Sequence, residues 1–66
     1  MALVRLLKME RQLRTRPVTV EQLMRRFGVS RRTVWRDLRV LEAAGAQVRQ
    51  IPTGPNRPAR YTIDLS

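Results

Sequence analysis

Apolar residues recur along this chain with two different periods, helical through the first two thirds and alternating in the last third. Over about residues 2–15, Leu3, Leu6, Leu7 and Leu13 return at helical spacing, with Met9 on the flank of the stripe. Arg5, Lys8 and Arg11 fall mostly on other faces. Glu10 lies inside the apolar arc, which predicts that it sits at the edge of that arc, paired with an arginine. Pro17 ends the segment, because the residue before a proline is pushed out of helical geometry. A second helix is predicted over about 20–27. It opens with "TVEQ", where the Thr19 hydroxyl can cap and Gln22 can reach back to complete a capping box. Val20, Leu23, Met24 and Phe27 then form a single stripe at i, i+3, i+4 and i+7. Gly28 is the expected terminator, with Val29 folding back to plug the turn. Ser30 caps a third helix over about 31–44. On that helix Val34, Leu38 and Leu41 share a narrow inward arc, while Arg32, Trp35, Arg36 and Arg39 cluster on the other side. Gly45 is its stop.

Beyond Gly45 the pattern becomes alternating. "AQVRQI" carries Val48 and Ile51 on one period, and "RYTIDL" carries Tyr61, Ile63 and Leu65. Two such runs separated by "PTGPNRP" read as an antiparallel hairpin over about 46–65, its tip stiffened by three prolines. The expected fold class is mainly α (α+β): one domain over 1–66, with three helices followed by a two-stranded β-wing.

Composition removes whole classes of chemistry. At 66 residues the chain buries only about 60% of its unfolded surface, so the core must be thin. The absence of cysteine rules out disulfides and thiolate zinc sites, and the absence of histidine removes the commonest metal ligand and general base. Serines and threonines lack a histidine partner, and no pair of carboxylates stands out as an acid and base set. No enzyme, cofactor or metal is therefore expected.

Charge points outward instead. Fourteen Lys and Arg against five Asp and Glu give a net charge of +9, and every cation except Lys8 is arginine. Such a chain seeks a polyanion, with nucleic acid the first candidate and an anionic membrane surface the second. Arginine suits forked recognition of phosphate and guanine, although a GC-rich genome also produces the bias. No apolar run is long enough to span a membrane. The opening "MALVRLLKME" is interrupted by Arg5, Lys8 and Glu10 and is followed by no cleavage site, so a cytoplasmic location is expected. The basic, leucine-rich first helix could lie on a membrane surface, but the other two helices need it as a cover. Its remaining apolar edge, Val4 with Met1 and Met9, offers a surface for a homodimer.

Two helices joined at Gly28, the second with an exposed basic face, match the helix-turn-helix plan in which the second helix enters the DNA major groove. Ser30, Arg31, Arg32 and Thr33 occupy the first turn of that helix, where free amides and a partial positive charge favour a phosphate. Arg32 and Arg36, four residues apart, can each bring a fork to guanine O6 and N7. Arg39 joins the cations expected to hold phosphates, and Arg57 at the wing tip is expected in a narrow minor groove. Trp35 either packs against the wing or a partner, or meets the DNA backbone.

The segment "PVTVEQLMRRFGVSRRTVWRDLRVLEAAGAQV" resembles the winged helix-turn-helix of DeoR-type regulators, and more closely the N-terminal domain of WYL-domain transcriptional regulators. The resemblance runs from about residue 4 to 65 and centres on "VSRRTVxRDLxxL". It implies that Ser30 caps, that Arg32, Thr33 and Arg36 approach DNA, that Trp35 stands where a tyrosine often lies near the backbone, and that Asp37 is structural. Met24 replaces the usual alanine, and the proline-rich tip with Arg57 replaces a glycine-rich one. Relatives of this type continue into a ligand-sensing domain, whereas this chain ends at Ser66. Together these features imply a small stand-alone, sequence-specific regulator of transcription that binds double-stranded DNA and represses by occluding promoters. It would act as a dimer on a two-fold or repeated site, or with a separate protein supplying the sensor. Two readings from other classes remain beside it: a winged-helix protein-interaction module in a larger complex, and a nonspecific architectural or RNA-binding protein.

Overall fold

The computed structural model describes residues 2–64, so Met1 and Leu65 lie outside the described residues. Three helices and three short strands follow in the order α1 (Ala2–Thr15), β1 (Val18–Thr19), α2 (Val20–Phe27), α3 (Arg31–Ala43), β2 (Val48–Ile51) and β3 (Arg60–Ile63).

Local hydrogen bonding sets the ends of α2 and α3. The Thr19 hydroxyl accepts from the Gln22 N–H at 3.1 Å, and Gln22 Oε1 accepts from the Thr19 N–H at 2.9 Å, completing a capping box. Gly28 then takes the left-handed conformation, at φ 64°, which costs a side-chain-bearing residue more than glycine. The Val29 N–H bonds back to the Met24 carbonyl at 3.1 Å, and the Val29 side chain packs against the core, plugging the turn. Ser30 begins α3 by accepting from the Thr33 N–H at 3.2 Å. At its far end the Gly45 N–H reaches the Glu42 carbonyl and the Ala46 N–H reaches the Leu41 carbonyl, both at 3.0 Å. That paired closure is a Schellman motif.

Val34, Leu38 and Leu41 of α3 pack with Val20 and Leu23 of α2, Met9 and Leu13 of α1, Val18 of β1 and Ile63 of β3 in one buried cluster. Burying each such side chain contributes about 1.5–3 kcal/mol before the entropy of ordering it is subtracted. The inward face of α1 differs from the expected one. Met9, expected on the flank, is fully buried, whereas Leu3 and Leu7 are 66% and 59% exposed. Leu6, Met9 and Leu13 define the packed stripe, and Leu3 and Leu7 stand roughly 90° and 130° round the wheel from its centre. Met9 is thus unavailable to the proposed dimer edge, while Val4 remains exposed. Glu10 sits at the rim and accepts from Arg14 at 3.0 Å.

The two strands of the wing are joined by a third that the hydrophobic pattern did not announce. The sheet order is β1-β3-β2, all antiparallel, with Val18 opposite Tyr61 and Val48 opposite Ile63. Val48 packs against the core. Ile51, expected on the same period, lies three residues away and so projects from the opposite face of the strand. The Thr62 hydroxyl donates to the Leu13 carbonyl at 2.9 Å and pins the central strand to α1.

Candidate nucleic-acid interface

The candidate surface is the outer side of α3, whose inner side is bonded to α1 and packed into the core. Asp37 is buried on the inner side of α3, one turn below Leu41, and receives two hydrogen bonds from Arg5 of α1: Nε to Oδ2 at 2.7 Å and Nη2 to Oδ1 at 3.2 Å. The hydrogen bond to Asp37 is the main cause raising the Arg5 pKa above its ordinary value. Desolvation opposes it and the coulombic attraction of Asp37 adds to it. The outer side carries the cations. Arg32 and Arg36 are exposed and, being four residues apart, lie on one ridge. That ridge continues into Val40 and Ala44, so it passes from cationic to apolar along the helix.

The first turn is more committed than the sequence implied. Arg31 is hydrogen-bonded to Glu21 of α2, with side chains 54% and 43% exposed, which ties the two helices across their turn. Glu21 is held below the usual carboxylate range, chiefly by that bond and next by a backbone N–H, with burial opposing. Ser30 is exposed, and its hydroxyl donates to Thr33 Oγ1 at 3.1 Å while accepting the Thr33 N–H. Thr33 is therefore half-buried and engaged in the cap. The amides of the first two helical residues, Arg31 and Arg32, have no intrahelical carbonyl to meet and remain donors for an anion.

Trp35 meets Tyr61 of β3 edge to face, with ring centroids 5.2 Å apart and planes at 87°. It is still 39% exposed, so one side braces the wing and the other is open. Aromatic pairs in this arrangement add about 0.5–1.5 kcal/mol beyond burial. Beside it, Arg39 and Gln50 border a shallow hollow of about 250 Å³ between α3 and the wing. The wing tip is closed by the Thr53 hydroxyl donating to the Pro58 carbonyl at 2.8 Å. Within it, Pro55 and Asn56 form a tight turn, with Asn56 at φ 63° and the Arg57 N–H directed at the Gly54 carbonyl at 3.4 Å. Arg57 is exposed at that turn.

Among the described residues the ion pairs are Arg5–Asp37, Arg14–Glu10, Arg31–Glu21 and Arg49–Asp64. Arg32, Arg36, Arg39 and Arg57 are outside them. Sequence reasoning missed Arg5 as the partner of Asp37. The available signal was a carboxylate close to the inward arc of α3, which requires a buried cation or donor somewhere. No buried side-chain polar atom among the described residues lacks a hydrogen-bond partner. No helix among them is long and apolar enough to cross a membrane, and no group of three His, Cys, Asp or Glu is placed to hold a metal ion.

No curated protein and no solved structure matches the chain. A family model described as an HTH domain matches residues 5–54, from the Arg5 that braces α3 to the tip of the wing. The match takes in most of α1, all of α2 and α3 and the first strand of the hairpin, and with it the chain belongs to the HTH domain family, as a DNA-binding protein of transcription regulation.

Proposed function

We propose that the chain reads a specific duplex sequence through α3 and represses transcription by occluding a promoter. By type it would stand with the DeoR-like and WYL-domain regulators. The observation that carries this reading is the pair Arg32 and Arg36, exposed on one ridge and outside every ion pair among the described residues, on a helix whose other face is locked by Asp37 and the core. Guanidinium forks in that position suit guanine edges in the major groove. Arg31, Arg39, Ser30, Thr33 and the outer side of Trp35 serve the backbone around it, and Arg57 enters the adjacent minor groove. The protein acts in the cytoplasm, without a catalytic step or a cofactor.

One small domain covers few base pairs, and a second copy supplies the remainder of the site. The exposed Leu3, Val4, Leu7 and Val40 support such a dimer. Selection of bound duplexes from a random pool, with light scattering on the same sample, tests both parts. A recovered two-fold or repeated motif and a doubled mass are the expected results. A pool that stays random removes sequence reading and favours the architectural or protein-binding alternative.

A further inference from the structure

Strand β1 has a consequence for charge. Its pairing with β3 sets Arg60 opposite Thr19 and so brings the base of the wing to the junction of α1 and α2. A cavity of about 320 Å³ opens there, with Arg16, Arg26 and Arg60 on its walls beside Gln12 and Gln22. An adjoining hollow of about 390 Å³ shares Gln12 and Arg26 and adds Lys8, Arg11 and Thr15. No carboxylate and no residue of α3 lines either one. The ion pairs among the described residues use other arginines.

The plain alternative is a set of solvated charges near helix ends. It accounts for Arg26 in the last turn of α2 and for Arg16 just past α1, since a helix C-terminus favours cations. It does not account for Arg60, which strand register alone delivers to the same cavity. Collecting like charges from three elements is unfavourable unless an anion joins them. The donors also suit an oxyanion. Guanidinium groups fork onto phosphate, and Gln22, with Oε1 committed to the Thr19 cap, keeps its NH2 as a donor. Lys8 and Arg11 follow at i and i+3 along one face of α1, where the Thr15 hydroxyl is already spent on the Arg11 carbonyl at 2.8 Å. A row of donors leading into a cavity fits a row of phosphates better than a single small anion.

We propose that this cleft is a second nucleic-acid site, which holds backbone phosphates beyond the segment that α3 reads and does so without regard to sequence. It extends the DNA-binding role of the family and is independent of which bases α3 prefers.

The test compares Arg16→Gln/Arg60→Gln with Arg14→Gln/Arg49→Gln. Both variants remove two formal charges, but the second pair is already bonded to Glu10 and Asp64. Binding to a preferred and a scrambled duplex is measured by anisotropy across a salt series, with circular dichroism to verify folding. The cleft variant is expected to reduce the slope of log K against log salt by roughly 1 to 2 on both duplexes, since each lost phosphate contact removes about 0.9. Its preference between the duplexes stays as in the parent, and the control changes the slope by less than half as much. Equal slopes in the two variants overturn the proposal. Lys8→Gln/Arg11→Gln, on the exposed face of α1, provides the same test should the first variant unfold. Inorganic phosphate shifting the Arg16 and Arg60 amide resonances, with no slope difference on DNA, assigns the cleft to a small anion and also overturns it. Arg32→Ala/Arg36→Ala separates the two ideas: it abolishes sequence preference if α3 reads bases, while the cleft's share of the salt slope persists.

Discussion

Arg5 grips Asp37 through two hydrogen bonds across 32 positions of sequence, and the two partners are unequally buried, the aspartate side chain 4% exposed and the arginine 22%. Removing one partner therefore differs from removing the other. Arg5→Ala strands a carboxylate inside the protein, whereas Asp37→Ala leaves a cation that can turn to water. Arg5→Ala is expected to lower the denaturant midpoint more than Asp37→Ala, and the double variant to lose less than the sum of the two. Equal losses, or simple additivity, would show that the pair is incidental to the position of α3.

The Glu21–Arg31 bond predicts a pH dependence. Because Glu21 titrates below its unfolded value of about 4.3, the bond adds stability above that pH. The gain disappears as pH falls through the folded value. Glu21→Gln should be less stable than the parent at neutral pH and converge on it in acid, with the gap shrinking in high salt because both side chains are exposed. Thermal unfolding at a series of pH values measures it, and a constant gap down to strong acid would contradict the assignment.

Two stability changes separate local from tertiary contributions. Thr19→Ala removes the reciprocal cap of α2 and should cost about 1 kcal/mol. Leu38→Ala opens a cavity at a fully packed position and should cost about 2–5 kcal/mol. Urea denaturation ranks them, and the reverse order would mean that α2 rather than the core limits folding.

Arg32→Ala should weaken binding to the selected sequence by about 1–3 kcal/mol while changing scrambled-duplex binding much less. Competition titrations with both duplexes provide the comparison. A uniform loss would make Arg32 a phosphate contact.

The features legible in the sequence are those decided within a few residues. Thr19 with Gln22, Gly28 with Val29, and Ser30 with Thr33 settle their hydrogen bonds inside one turn, so the residue types alone announce them. The inward arc of α3 is equally plain, because Val34, Leu38 and Leu41 have no large apolar competitors on that helix apart from Trp35 and Val40. α1 was harder. It has apolar residues on more than one face, and only packing against α3 and β3 selects Met9 over Leu3 and Leu7. β1 is two residues long and gives no alternation to detect. Its absence from the reading hid the approach of Arg60 to Arg16 and Arg26. On the cationic face of α3, the wheel groups Arg32, Trp35, Arg36 and Arg39 from spacing. The capture of Arg31 by Glu21 depends on how α2 and α3 cross, and no local rule reports that.

Trp35 is the single tryptophan of the chain, and its contact with Tyr61 gives the molecule an optical property. Ultraviolet emission from an unlabelled sample originates at the joint between α3 and the wing, from an indole with one side in protein and the other in water. A shift of Tyr61 against Trp35, or a ligand covering the open side, alters the colour and yield of that light. Motion of the wing relative to α3 can therefore be followed in real time without attaching a dye to either.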